Sequence, residues 1–102
     1  MEFEWDPARN AATERARGFG FDLAVDVFFD SDRVERVDLR REYGEVRRQT
    51  IGAVEGRVYF VVFTRRGNRV RVISLRRAHD HEEKSYDAGP PHGGWQAPAR
   101  EA

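Results

Sequence analysis

An α+β domain is what this sequence predicts, and three observations carry that prediction. Apolar residues recur at helical spacing as far as residue 29 and at strand spacing between residues 34 and 76. The stretch FEWDPARN, residues 3–10, switches from strand to helix within a few positions. Glu55-Gly56 and Gly67-Asn68 divide the strand region with two turn signals. The expected architecture is two N-terminal helices packed on an antiparallel β-sheet with a short C-terminal helix, all within residues 1–86, followed by a flexible tail over 87–102.

Each element has a local cause. Phe3 to Trp5 form a short strand that ends at Asp6-Pro7, where the Asp side chain can cap the free N–H groups of a first turn and proline's fixed φ suits the first helical position. Ala8, Ala11, Ala12 and Ala16 then recur at helical spacing up to Gly18, which predicts a helix over 7–17. Leu23, Ala24, Val27 and Phe28 make one apolar stripe, with Phe21 ahead of it as a staple, so a second helix is expected over 22–29 until Asp30, Ser31 and Asp32 break it. Strands are expected over 34–39, 46–53, 57–64 and 69–76, the last three as an antiparallel meander. Val58 to Phe63 is apolar at every position, as in a central strand covered on both sides. In the next strand, simple alternation puts Arg69 and Arg71 on the face of Ile73 and Leu75. His79 to Tyr86 reads as a closing helix with Glu82 and Tyr86 one turn apart. Beyond Asp87 apolar periodicity stops, and Trp95 stands alone in a Pro/Gly/Ala-rich run, where docking onto the domain is its ordinary fate.

Composition removes several kinds of chemistry. No cysteine is present, which excludes disulfides, thiolate nucleophiles and cysteine-ligated zinc. The apolar run Val58 to Phe63 is far shorter than the ~20 residues of a membrane-spanning helix, so no membrane role and a cytoplasmic location are expected. There is no Gly-rich phosphate loop, no GxSxG elbow and no His pair at i, i+4, and no cofactor is expected. His79-Asp80-His81 offers two imidazoles, but two positions apart on a helix they diverge, so a solvated helix start is expected there and no metal site.

The net charge of zero hides a strong segregation. Residues 1–32 hold eight acidic and three basic side chains, whereas residues 33–77 hold thirteen arginines and five acids. Between Gly56 and His79 there are seven arginines and no acid, and all but one of the chain's eighteen basic residues are arginine. A guanidinium grips phosphate or carboxylate in two places, so this pattern fits an anionic partner; it also fits a solvated, ion-paired surface.

FEWDPARN at 3–10, GFGFDLAVDVF at 18–28, EVRRQTIG at 45–52, VYFVVFTRRGNRVRVISLRRA at 58–78 and EEKSY at 82–86 occur in an order and spacing that resemble the BrnT family of toxins from bacterial toxin–antitoxin pairs. The resemblance spans residues 1–86 and implies a RelE-like fold. It also implies an endoribonuclease that cleaves RNA without a metal ion, by attack of the 2′-hydroxyl on the adjacent phosphate, and a BrnA-like ribbon-helix-helix antitoxin as partner. Such chemistry needs a proton acceptor, a proton donor and cations for the charge gathered on phosphorus; arginine serves the last well and the first poorly, because it stays protonated.

Carried over by position, the resemblance places the family's ExR pattern on Glu45 and Arg47, its last-strand arginine on Arg71 and its SxRxA motif on Ser74, Arg76 and Ala78, with Glu82 and Tyr86 matching the closing helix. Glu45, Arg47, Arg71, Arg76 and His79 are the candidate catalytic residues, and Arg65, Arg66, Arg77 and His81 the candidate RNA-binding ones. Arg47, Arg71 and Arg76 have apolar neighbours and call for carboxylate partners such as Glu42, Glu45 or Glu82. The chain also departs from the family: Ala16-Arg17-Gly18 stands where Lys-His-Gly is usual, and Arg41 where a histidine is usual. Those replacements leave open a weakened enzyme, and with it a non-catalytic binding module that holds an acidic partner protein on its arginine face.

Overall fold

The computed structural model describes residues 1–98, and the last four positions of the expected tail lie outside the described residues. The elements are β1 (Glu2–Trp5), α1 (Pro7–Arg17), α2 (Asp22–Phe28), β2 (Val34–Val37), β3 (Arg48–Val54), β4 (Arg57–Arg66), β5 (Arg69–Arg77) and α3 (Asp80–Ala88). Asp6 caps α1 as its sequence requires, its Oδ1 accepting the Ala8 N–H at 2.9 Å, and Gly18 ends it at φ 82°.

The strands form one five-stranded sheet in the order β1-β5-β4-β3-β2. Strands β2 to β5 are antiparallel, but β1 runs parallel to β5, so the sheet is mixed and the fully antiparallel expectation is corrected. No hairpin ties the direction of β1, because Asp6-Pro7 sends the chain straight into α1. The register pairs Glu2 with Arg69 and Glu4 with Arg71, so acids meet cations on neighbouring strands.

A second correction concerns β5. Its pairing with β4 slips between Val62 and Phe63, so that Val62 faces Ser74 while Phe63 faces Val72, and Ile73 is the extra residue of a bulge. Leu75 is thereby moved to the face of Val70 and Val72, away from Arg69, Arg71 and Ile73. On that face Phe21, Ala24 and Val27 pack against Tyr59, Val61 and Phe63. Gly52 permits the close approach of α2, since a Cβ there would lie 2.9 Å from Val27 Cγ1.

The other face is apolar too. Val34, Ile51, Phe60 and Val62 are covered by Trp95, which is 3% exposed, together with Tyr86 of α3. The domain boundary expected at residue 86 falls inside α3, and the segment expected as a tail reaches back to the sheet, where Gln96 exchanges two backbone hydrogen bonds with Glu35 at 2.8 and 2.9 Å. Asp30 joins three elements, its Oδ2 accepting from Ala53 N–H at 2.7 Å and from the Tyr86 hydroxyl at 2.6 Å. Burial alone would raise the Asp30 pKa, but these bonds outweigh it and leave the carboxyl below its usual range, while burial and Asp30 together push the Tyr86 hydroxyl up. Among the described residues no helix is long and apolar enough to cross a membrane.

Candidate active site

Strand β2 stops at Val37, two residues short of expectation, because Asp38 turns inward. Its buried carboxylate takes Arg40 Nε and Nη2 at 2.9 and 2.8 Å, and the Arg40 bonds, with lesser help from Tyr43, lower its pKa to about 2 against the opposing effect of burial. The loop that follows returns to the sheet at Val46, whose carbonyl accepts the Thr64 hydroxyl at 2.8 Å. Glu45 and Arg47 flank that anchor, so the sheet itself positions both; Arg47 lies just outside β3.

Here a cleft of about 170 Å³ opens, lined by Arg9, Arg47, Arg66 and Arg71 together with Asp6 and Glu45. Cations outnumber acids, and Asp6 is engaged as a helix cap. Arg71 Nη1 donates to Glu4 Oε2 at 2.7 Å, so its sequence-expected carboxylate comes from β1. Glu45 is held more loosely, with Oε1 3.4 Å from Arg66 Nη2 and Oε2 3.5 Å from Arg47 Nε. The Arg47 guanidinium lies 4.2 Å from the centre of the Tyr43 ring, and its buried Nε has no hydrogen-bond partner. The Nε faces Glu45, while the Arg47 side chain as a whole stays 22% exposed, and a phosphate oxygen is an acceptor that a guanidinium accommodates well.

A family model described as ribonuclease toxin, BrnT, of type II toxin–antitoxin systems matches residues 5–82. The chain belongs to the BrnT family. No curated protein matches it. The family is one of ribonuclease toxins, and membership implies an antitoxin partner.

The remaining BrnT-derived positions fall elsewhere. Arg76, Arg77 and His79 line a second cleft of about 380 Å³ with Arg17 and Phe19. Arg71 and Arg76 are five residues apart on β5, roughly 15 Å at strand rise, so the two clefts are separate. Arg76 is already engaged: Nη1 and Nη2 donate to Glu82 at 2.8 and 2.9 Å, and its guanidinium stacks 4.1 Å from the Phe60 ring centre. Burial would raise the Glu82 pKa, yet Arg76 and the His79 N–H outweigh it and hold the carboxyl down. Arg77 points to the opposite face and has no ion pair among the described residues. His79 and His81 bring ligand atoms within 4.8 Å of Glu82, but both Glu82 oxygens accept from Arg76, which disfavours a cation there. Arg17 and Arg41, where the resemblance led histidines to be expected, line the second cleft and lie beside Tyr43 respectively.

Arg65 faces the helix side of the sheet, away from Arg66, since neighbours on a strand alternate. It is 3.4 Å from Glu35, which also accepts from Arg33 at 2.9 Å and Arg48 at 2.7 Å and is 1% exposed. Sequence reasoning missed this hub. The only hint was an acid flanked by valine and arginine in VERV, and its partners come from two other strands and a loop.

Proposed function

We propose that this chain is the toxin of a type II toxin–antitoxin pair, with a RelE-like arrangement, and that it cleaves RNA in the cytoplasm at the cleft of Glu45, Arg47, Arg66 and Arg71 without a metal ion. The observation that carries the reading is the convergence of Arg9, Arg47, Arg66 and Arg71 on one cleft beside Glu45, which leaves that cleft with surplus positive charge. Glu45 accepts the 2′-hydroxyl proton as the 2′-oxygen bonds to phosphorus; Arg47 and Arg71 stabilise the charge on the phosphorane; and the P–O5′ bond breaks as O5′ takes up a proton from water. The products are a 2′,3′-cyclic phosphate and a 5′-hydroxyl. Arg77, His79, His81 and Arg17 hold the strand away from the reacting phosphate, and Arg76 supports them through its pair with Glu82. A BrnA-like ribbon-helix-helix antitoxin is the proposed partner.

A second reading is a non-catalytic binding module that holds an acidic protein on the same cleft, whose cations Arg9, Arg47, Arg66 and Arg71 outnumber its acids. Incubating the purified chain with RNA in EDTA separates the two. Cyclic-phosphate ends support the toxin reading; intact RNA bound in a salt-dependent manner leaves the binding module in its place.

A further inference from the structure

We infer that Tyr43 is the positioning residue for Arg47: its ring fixes the plane of the guanidinium at the wall of the cation-lined cleft and leaves the N–H donors free for a phosphate. This rests on the reading of that cleft as the site of RNA cleavage. Two arginines of β5 show the alternative. Arg71 is held by Glu4 through a hydrogen bond of 2.7 Å, and Arg76 by Glu82 through two. Each carboxylate orients its partner by occupying donors. Arg47 is not held that way: Glu45 Oε2 stands 3.5 Å from its Nε, and no hydrogen bond closes there among the described residues. What does lie against it is the Tyr43 ring, whose centre is 4.2 Å from the guanidinium carbon. A ring takes a guanidinium by its face, so the in-plane N–H groups stay available.

The ring is itself held. Tyr43 is half-buried, and its hydroxyl donates to Asp38 Oδ2 at 3.2 Å. Asp38 is fixed in turn by the Arg40 backbone N–H at 3.1 Å and by two bonds from the Arg40 guanidinium. The Asp38 N–H also reaches Arg47 O at 2.7 Å, so one residue anchors both the ring and the backbone of the side chain that the ring carries. Gly44 takes φ 75°, the bend that lets a ring four residues earlier lie against Arg47, and a side chain there would resist it. Placement separates the ring from the substrate. Glu45 and Arg47 line both the cleft of Arg9, Arg66 and Arg71 and a neighbouring one of about 160 Å³, whereas Tyr43 lines only the neighbouring one. Arg47 therefore stands between the ring and the cleft, and Tyr43 acts through Arg47 without touching RNA. Arg41 also approaches the ring, at 5.1 Å, but it is exposed and lines only the neighbouring cleft. An unstacked arginine faces the phosphate in only a fraction of its rotamers; a stacked one is already aligned when charge develops on phosphorus.

The test compares the full-length wild type with Tyr43→Phe, which keeps the ring, Tyr43→Leu, which removes it, Arg47→Ala, and the double variant of the last two, each with its urea midpoint measured. Single-turnover cleavage at saturating RNA should fall roughly tenfold or more in Tyr43→Leu and stay within about threefold of wild type in Tyr43→Phe, with RNA affinity changing less than the rate. In the Arg47→Ala background Tyr43→Leu should cause no further loss, because the ring has nothing left to position. NMR spectra should show the Arg47 side-chain protons displaced by ring current in wild type and Tyr43→Phe, and at ordinary shifts in Tyr43→Leu. Losses that multiply in the double variant, a Tyr43→Phe as slow as Tyr43→Leu, or a Tyr43→Leu as fast as wild type would each overturn the inference. Should Tyr43→Leu fail to fold, the wild-type spectrum decides, and Arg47 protons without ring-current displacement overturn it. If wild type leaves RNA intact, inorganic phosphate is titrated against the Arg47 Nε–Hε signal. A requirement for roughly threefold or more phosphate in Tyr43→Leu then refutes the proposed enzyme alone, and equal titration of the two proteins refutes the positioning role.

Discussion

Two arginine–glutamate pairs on this sheet use the same chemistry to opposite ends. Arg76 and Glu82 meet through two hydrogen bonds of 2.8 and 2.9 Å, with Glu82 5% exposed and the guanidinium stacked on Phe60. Arg47 and Glu45 approach only to 3.5 Å, and the Arg47 Nε is buried without an acceptor. The first pair is complete: each donor offered to Glu82 is matched, and the product is a fixed joint between β5 and α3. The second is looser: no hydrogen bond closes it among the described residues, so Arg47 keeps donors to offer to an anion in the cleft. An arginine's place in a motif therefore says less about its role than the fraction of its donors already committed.

The contrast is broken most directly by truncating one member of each pair. Glu82→Ala leaves a half-buried Arg76 uncompensated and should lower unfolding free energy by about 3 kcal/mol, read from urea denaturation. Arg47→Ala should reduce single-turnover RNA cleavage by roughly 10²–10³-fold, about 3–4 kcal/mol of transition-state stabilisation, while the urea midpoint moves little. If Arg47→Ala unfolds the protein and Glu82→Ala leaves it stable but inactive, the assignment of the two pairs is reversed.

The completed pair was closer to legible in the sequence than the looser one. Pro7, Gly18 and the two turn signals marked elements through local backbone preference, and Arg76 with Glu82 could be matched because only a short turn separates them. Glu45 and Arg47 became candidates through the resemblance, by way of a short motif, and the sheet sets them at one cleft. Positions set by distant pairing were hidden: Glu4 reaches Arg71 only because β1 lies parallel to β5, and Leu75 changes face only because Ile73 bulges. Glu35 gathers its three arginines by the same kind of non-local register. Periodicity reports which face a residue shares with its own strand; it carries no record of which strand comes to lie beside it.

Acid sharpens the comparison at smaller amplitude, because it discharges committed carboxylates. Asp38, held at about 2 by Arg40, and Asp30 and Glu82, both held below their usual range, bind protons less readily folded than unfolded. The unfolded chain therefore gains protons first as pH drops through about 4, so their contribution is present above that pH and lost toward pH 2. For Asp38 the shift sets a ceiling of about 2 kcal/mol, reduced by solvent around Arg40, which is 58% exposed. Urea midpoints between pH 5 and 2 should fall, and Asp38→Asn should flatten that fall. A midpoint independent of pH over this range would show that these pairs contribute nothing to stability.

The smallest expected effect isolates attraction from chemistry. Arg66 lines the same cleft as Arg47 but is 54% exposed, and its contact with Glu45 is long at 3.4 Å. Its guanidinium is therefore hydrated in the free protein and gains little from a fixed geometry, so its role in the proposed site is to draw in the phosphate chain. Neutralising one phosphate releases condensed counterion, which makes the slope of log affinity against log salt the direct measure of that role. Arg66→Ala should weaken binding of single-stranded RNA only several-fold at low salt, lower the magnitude of the slope by about 0.7, and leave the urea midpoint unchanged. The single-turnover rate at saturating RNA should stay close to wild type, because a charge that acts equally on bound substrate and transition state alters affinity alone. A large loss of that rate with an unchanged salt slope would move Arg66 into the reacting centre beside Arg47 and erase the distinction between a hydrated cation and a loosely held pair.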